Sequence, residues 1–276
     1  MALLRYIVVG IVAAALAGCA SMLGNHSARH EGSLVDYLYP NAKEPPAMQA
    51  TTTQLRPPVR VGIAFVPGAR GDGLSETEKT RLLERVRDSF SQYSYIGNIE
   101  IIPSAYLRPR GGWDNLDQVS RMFNVEVVAL LSYDQVSFND TNELAVLYWT
   151  IVGAYVIKGD RYDVQTLVDA AVFDVKSRKL LFRAPGTSQV KGSATMAGYS
   201  EQSRNAQANG FRLAVDQLIP QLQSELAGFR ERIKNDPNYK VVNKDGYRGG
   251  GSFGWIGALL ALCALVFGHA RRRTAA

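Results

Sequence analysis

Between Arg56 and Lys244 the chain has no cysteine and no histidine. Its two cysteines are Cys19 and Cys263, and its three histidines are His26, His30 and His269. A histidine-based triad, a Cys–His pair and a Cys/His metal site are therefore excluded from the middle of the chain, because each needs an imidazole or a thiolate at its centre. Ser–Lys and paired-carboxylate chemistry stay open. No disulfide can close a loop in this stretch, so a packed core must carry its stability. With 276 residues and 46% apolar content, the chain has material for one globular domain with such a core.

A basic stripe with interleaved aromatics is also missing. The formal net charge is +6, but Arg5, Arg271, Arg272 and Arg273 supply four of those charges from the extreme ends, which leaves +2 for the rest. The basic balance is therefore a property of the termini and gives no case for nucleic acid as a partner. Apolar runs are short as well. Phe253–Gly268 has sixteen residues and Leu144–Ile157 has fourteen, where a comfortable helical span takes ~20.

At the front, Arg5 precedes an apolar stretch that runs to Gly18 and ends in Leu16-Ala17-Gly18-Cys19. A basic start, a short apolar core and small residues at a cut describe a secretory signal peptide. The cysteine directly after Ala-Gly resembles a bacterial lipoprotein signal. That resemblance implies cleavage between Gly18 and Cys19, guided by Leu16 and Ala17, and a covalent lipid on the Cys19 thiol. Ala20 and Ser21 follow, neither of them acidic, which by analogy with the family's sorting rule implies the outer membrane.

At the back, Gly249-Gly250-Gly251 opens onto Phe253–Gly268, and Arg271, Arg272 and Arg273 close it. Gly254, Gly257 and Gly268 weaken helix propensity. An arginine cluster stays cytoplasmic by the positive-inside rule, which puts the domain on the far side. The stretch resembles the GlyGly carboxy-terminal sorting signal, and with the lipobox at Cys19 the chain resembles the rhombotarget lipoproteins. The resemblance implies recognition and cleavage at Gly249, Gly250 and Gly251 by a rhombosortase-type intramembrane protease, with Arg271–Arg273 as the cytoplasmic stop. The implied partners are this protease, the lipoprotein maturation and sorting machinery, the membrane, and an unidentified envelope protein.

Between the signals, Val59–Val66 reads as a strand. Ser75 and Glu78 form a capping box for a helix from Glu76 to about Tyr93, with Leu82, Leu83, Val86 and Phe90 on one face. Ile99–Ile102 is a second strand. A helix from Trp113 turns Leu116, Val119, Met122 and Phe123 inward, and Val125–Tyr133 is a third strand. Val164–Val175 and Leu180–Ala184 form a hairpin around residues 176–179. Tyr199 to about Ile233 is helical, with Phe211, Leu213, Val215, Leu218, Leu222 and Leu226 apolar and a kink expected at Pro220. The expected fold is α/β, one mixed sheet with helices packed on it. The element order resembles the domain of the curli secretion lipoprotein, the amino-terminal part of TolB and the lipoprotein activators of peptidoglycan synthases. The expected organisation is a signal peptide over residues 1–18, a flexible tether over 19–58 in which Leu34–Tyr39 can dock, a globular domain over 59–234, a Gly-rich linker with the processing site over 235–252, and a transmembrane segment over 253–276.

Other constellations give no site. Gly68, Gly71 and Gly73 lie between a strand and a helix, but no Lys-Ser/Thr follows and the spacing is not Gly-x-Gly-x-x-Gly, so the loop reads as permissive and Arg70 as solvated. Asp160 and Asp163 are expected to flank a turn, and with Asp169 and Asp174 they show no spacing that singles out a pair. No catalytic residue, metal ligand or cofactor beyond the Cys19 lipid is expected. The sequence therefore reads as a non-enzymatic, lipid-anchored envelope protein. It is held first in the inner membrane with its domain periplasmic, then released by C-terminal processing toward the outer membrane. It acts there as a partner-binding or assembly factor. The alternative is a subunit of an envelope pore or secretion assembly that inserts the region of Leu144–Ile157.

Overall fold

The structure, a computed structural model, describes residues 26–41, 52–68, 73–141 and 160–247. Along the chain these form β1 (His26–Gly32), α1 (Leu34–Leu38), β2 (Thr53–Leu55), β3 (Val59–Phe65), α2 (Glu76–Phe90) and β4 (Ile96–Ile101). A 3-10 turn (Ser104–Tyr106) follows, then α3 (Gly112–Met122), β5 (Val127–Thr141), β6 (Asp160–Asp174), β7 (Lys179–Ala194), α4 (Tyr199–Arg232) and β8 (Tyr239–Val241). The architecture is α/β with a mixed sheet, as the order of elements led one to expect. Among the described residues no helix is long and apolar enough to cross a membrane. Phe253–Gly268, expected to do so, lies outside them.

The main sheet has the order β4-β3-β5-β6-β7. β3 is parallel to β4 and β5, and β6 is antiparallel to β5 and β7. β5 pairs with β6 over its whole length, from Val127 opposite Asp174 to Thr141 opposite Asp160. Its other edge is shared by two strands set end to end. β3 covers Val127–Leu131, and β1, antiparallel, covers Tyr133–Asn139. Gly32 sits at their junction. A Cβ there would lie 2.6 Å from the Tyr133 ring and 2.8 Å from the Val66 carbonyl oxygen, so only glycine lets the two strand ends meet.

Alternation along β5 divides the core in two. Val127, Ala129, Leu131 and Tyr133 face a cluster under α2 and α4, while Val128 and Leu130 face one under α1 and α3. In the second cluster the Asn115 amide joins three elements. Its Oδ1 accepts from the Tyr37 hydroxyl at 3.2 Å and the Arg108 amide at 2.8 Å, and its Nδ2 donates to the Tyr106 carbonyl at 3.3 Å. Burial pushes the Tyr37 phenol up.

Local expectations hold in α2, where the Ser75 hydroxyl accepts the Glu78 amide at 3.2 Å and Leu82, Leu83, Val86 and Phe90 are buried. The Glu78 carboxylate pairs with Arg81 at 3.0 Å. In α3, Trp113, Leu116 and Val119 are buried, but Met122 is 66% exposed, against expectation. At 100° per residue it lies about 120° around the helix from Leu116. α4 runs unbroken through Pro220, which is exposed, held by Phe211, Val215 and Leu218 before it and Leu222, Leu226 and Phe229 after it.

Several expected boundaries shift. Asp160 and Asp163 flank no turn; both are within β6. β7 continues past Ala184 to Ala194 because its Pro185 stands on the sheet's outer strand, where a missing N–H costs no ladder bond. β5 continues past Tyr133 because its inner face there is polar and hydrogen-bonded through Gln135 Nε2, although Gln135 Oε1 is buried without a partner among the described residues. Gln135 Nε2 donates to Thr166 Oγ1 at 2.8 Å and to the Gln207 carbonyl at 3.0 Å, and Gln207 Nε2 donates to Ser137 Oγ at 3.2 Å. The segments expected as tethers also take part. β1 joins the main sheet, Tyr37 and Leu38 dock, and β2 pairs in parallel with β8.

α4 can lie this close to the sheet because Gly186 on β7 has no side chain. A Cβ there would meet the Ala214 carbonyl oxygen and stand 2.7 Å from the Leu218 amide nitrogen, both helix backbone. Gly186→Ala is expected to destabilise the fold by about 2 kcal/mol or more and to lower Tm by roughly 4–8 °C, measured by thermal unfolding; an unchanged Tm would contradict the packing described.

Candidate functional site: an apolar cavity under the β2–β8 pair

α2 and α4 run side by side in the same direction. Arg85 pairs with Asp216, and Gln223 Nε2 donates to the Ser89 carbonyl at 3.1 Å. α2 then ends at Phe90 while α4 continues to Arg232. The sheet beneath its last turns is left without a helix on the β3–β4 side. The result is a cavity of about 1040 Å³.

Its floor is Val59, Val61 and Ile63 of β3, Ile96 and Ile99 beside them, and Val127 and Ala129 of β5. Leu222, Leu226 and Phe229 of α4 form one wall. Leu55 of β2 and Tyr239 and Val241 of β8 lie across the opening. Aromatic rings line the rim in contact with one another: Tyr93 with Tyr95 at 5.4 Å, Phe182 with Phe229 at 5.4 Å and Phe229 with Tyr239 at 5.5 Å. The Arg230 guanidinium lies 4.3 Å above the Tyr95 ring and the Lys179 ammonium 4.4 Å above Tyr239, at cation–π distance. Burial pushes the Tyr95 phenol up, against the opposing charge of Arg230. The charged residues of the lining are Arg87, Arg230, Lys234 and Lys240; no carboxylate is among them.

The strands across the opening are held by an ionic knot. Glu126 accepts from Lys244 Nζ at 2.9 Å, from the Arg60 amide at 3.3 Å and from Arg60 Nη2 at 3.4 Å. Lys244 Nζ also donates to the Pro58 carbonyl at 3.0 Å. The backbone continues the attachment, with the Val242 amide on the Leu55 carbonyl at 2.9 Å and the Lys244 amide on the Pro57 carbonyl at 2.8 Å. Burial alone would push Glu126 up, but the Lys244 ammonium, the Arg60 amide and both cationic charges hold it below the usual carboxylate range.

Chemically, such a lining keeps water from an apolar ligand and presents positive charge at the mouth. The four aspartates of β6 are not brought together. Asp163 accepts from Gln189, Asp169 pairs with Arg183 at 3.2 Å, and Asp174 accepts the Ser177 amide at 2.7 Å and its hydroxyl at 2.6 Å. Among the described residues no group of three or more His, Cys, Asp or Glu could hold a metal ion. Leu16, Ala17, Gly18, Cys19, Gly249, Gly250, Gly251, Arg271, Arg272, Arg273 and Leu144–Ile157 all lie outside the described residues. Sequence reading missed the cavity, since its floor looks like any buried strand. The available signal was Tyr93 and Tyr95, two aromatic residues in polar surroundings just after α2, and Tyr239 in the polar stretch that follows α4.

No protein-family model and no curated protein matches the chain. Among solved structures, it is similar to a neuraminyllactose-binding hemagglutinin homolog from Helicobacter pylori, at 7% identity and TM-score 0.38, over 69% of this chain and 96% of that one. It is also similar to a PelC dodecamer from Paraburkholderia phytofirmans, at 13% identity and TM-score 0.27, over 71% and 96% of the two chains.

The ionic knot sets a pH dependence. A carboxylate held below its ordinary value of 4.5 contributes stability above that pH and loses it as the pH falls through its folded value. Amide exchange at Val242 and Lys244, corrected for intrinsic rates, is expected to accelerate as the pH drops below about 4.5. Lys244→Ala should accelerate it at neutral pH by about tenfold or more, since a hydrogen bond to a charged group contributes ~1.5–3 kcal/mol. Exchange indifferent to both changes would remove Glu126 from this role.

Proposed function

We propose that this is a lipid-anchored cell-envelope protein, non-enzymatic, that carries its lipid on Cys19, is cut near Gly249–Gly251 by a rhombosortase-type protease, and serves as a partner-binding or assembly factor. The observation that carries this reading is how near in sequence the described fold comes to both proposed sites. β1 begins at His26, seven residues after Cys19, and the contacts at the other end reach Tyr247, whose amide bonds the Lys244 carbonyl at 3.0 Å, two residues before Gly249. Both proposed processing sites are thus close in sequence to residues that the fold uses. Seven residues reach at most ~25 Å, so a lipid on Cys19 keeps this end of the domain near its membrane.

The two ends are also far apart. β1 starts opposite Asn139, while Lys244 is tied to Glu126, beside the start of β5. Twelve strand residues between them span ~40 Å. A chain held at both places in one membrane lies along it; removal of the C-terminal hold lets the domain stand on its lipid and turn its other end to a partner. Partner binding is supported by the second face of the sheet, where Phe138 and Leu167 are 42% and 41% exposed.

A second reading, a pore or secretion-assembly subunit, is favoured by one observation. Thr141 pairs with Asp160, so the chain leaves and re-enters the sheet at one end of β5, the end at which Asn139 pairs with His26. A full chain that stays monomeric in detergent would count against it.

Mass spectrometry of the protein from membranes tests the main reading. The expected species begins at an acylated Cys19 and ends within Gly249–Gly251, and replacing these three glycines by leucine should leave the full-length chain in the inner membrane. An intact terminus through Ala276 in wild-type cells would sink the processing step, and an unmodified Met1 terminus the lipid anchor.

A further inference from the structure

The geometry points to the cavity under the β2–β8 pair as a binding site for a separate amphipathic anion, a single long acyl chain with a negatively charged head. Its volume of about 1040 Å³ is at the top of the ~300–1,000 Å³ range of small-ligand sites. Floor and wall are aliphatic and aromatic side chains from the sheet and α4, a surface that gains only from an apolar guest. The opening carries the opposite character. Of the four cations there, Arg87 pairs with Asp88 at 2.9 Å and Lys234 with Glu231 at 2.7 Å. Arg230 and Lys240 form no ion pair with a carboxylate among the described residues, and both are exposed at the mouth. An apolar interior with positive charge confined to its mouth matches a guest with a hydrocarbon body and an anionic end.

Two occupants from the chain itself fit less well. The apolar segment Phe253–Gly268 follows Tyr247, which lines the cavity. As a helix ~10 Å across it would bring Gly254, Gly257 and Gly268, which offer no side chain to an apolar lining. It also ends in Arg271–Arg273, the same sign as the mouth. A lipid on Cys19 would have to bridge ~40 Å from the His26 end of β1 to the cavity floor; seven residues of chain cover at most ~25 Å, so only the tips of its acyl chains come within reach, with no anionic head for the mouth. The guest is therefore a third molecule, and the site stands whether or not Cys19 is lipidated.

Photolabelling of the full chain in isolated membranes tests this, with a diazirine-bearing palmitic acid as the probe. Adducts are expected within residues 93–99 and 222–241, displaced by excess oleate and not by oleyl alcohol, which has the same chain without the charge. The double variant Arg230→Glu and Lys240→Glu, both exposed and so tolerated by the fold, should lose labelling by roughly tenfold, the effect of one charge-assisted hydrogen bond. Ile99→Trp, which fills the floor, should lose it with the charges in place. Adducts confined to other residues, equal displacement by the alcohol, or labelling of the charge variant at the wild-type level would overturn the proposal.

Discussion

The ladder between β5 and β6 is the constraint from which the rest of this structure follows. Fifteen consecutive residue pairs, from Val127 with Asp174 to Thr141 with Asp160, fix one long strand in one register. A slip of one residue would turn Val127, Ala129, Leu131 and Tyr133 from one core to the other, so the two hydrophobic clusters hold the register as firmly as the backbone bonds do. With β6 on one edge, the other edge of β5 is long enough for two partners. β3 takes its first third and β1 its second half, which is how a segment close to the chain's start becomes part of the sheet.

The same length separates two environments. At the start of β5, α2 has ended while α4 continues, and the space between becomes an apolar cavity crossed by β2 and β8. Toward the end of β5, α4 packs on polar groups of the sheet, Gln135, Ser137, Thr166 and Ser188, which are hydrogen-bonded to one another or to α4. Both halves of α4 lie on the sheet, but the first half is fixed by directional bonds and by glycines, Gly186 and Gly210, and the second by apolar contact around an open volume. The half held by directional bonds lies at the end of β5 that pairs with β1. The half with the open volume lies at the end where Lys244 is tied to Glu126.

Much of the fold was legible in the sequence wherever burial was apolar. Val59–Val66, the capped helix from Glu76 with its Leu82, Leu83, Val86 and Phe90 face, and the long helix from Tyr199 all reflect side chains whose periodicity has one cause. Legibility failed where the cause was different. The end of β5 was missed because Gln135 and Ser137 face inward with hydrogen-bond partners, and hydropathy cannot see that a polar group is hydrogen-bonded. β7 was cut short at Pro185 because nothing in the sequence says that this strand is an outer one. β1, β2 and β8 were read as tether because short polar strands become strands only through partners distant in sequence, Asn139 for His26 and Tyr239 for Thr53. The cavity was invisible for a related reason: it is a gap left by two helices of unequal length, and no residue pattern marks a gap.

Amide hydrogen exchange along β5 in the full chain tests the central claim most directly. The account predicts that the 127–131 half, beside β3, and the 133–139 half, beside β1, open together as one unit with similar protection. Exchange of 133–139 at the rate of unstructured chain, with 127–131 still protected, would mean that the strand ends near Tyr133, that β1 is tether after all, and that the two ends of the domain are not joined by a common spine.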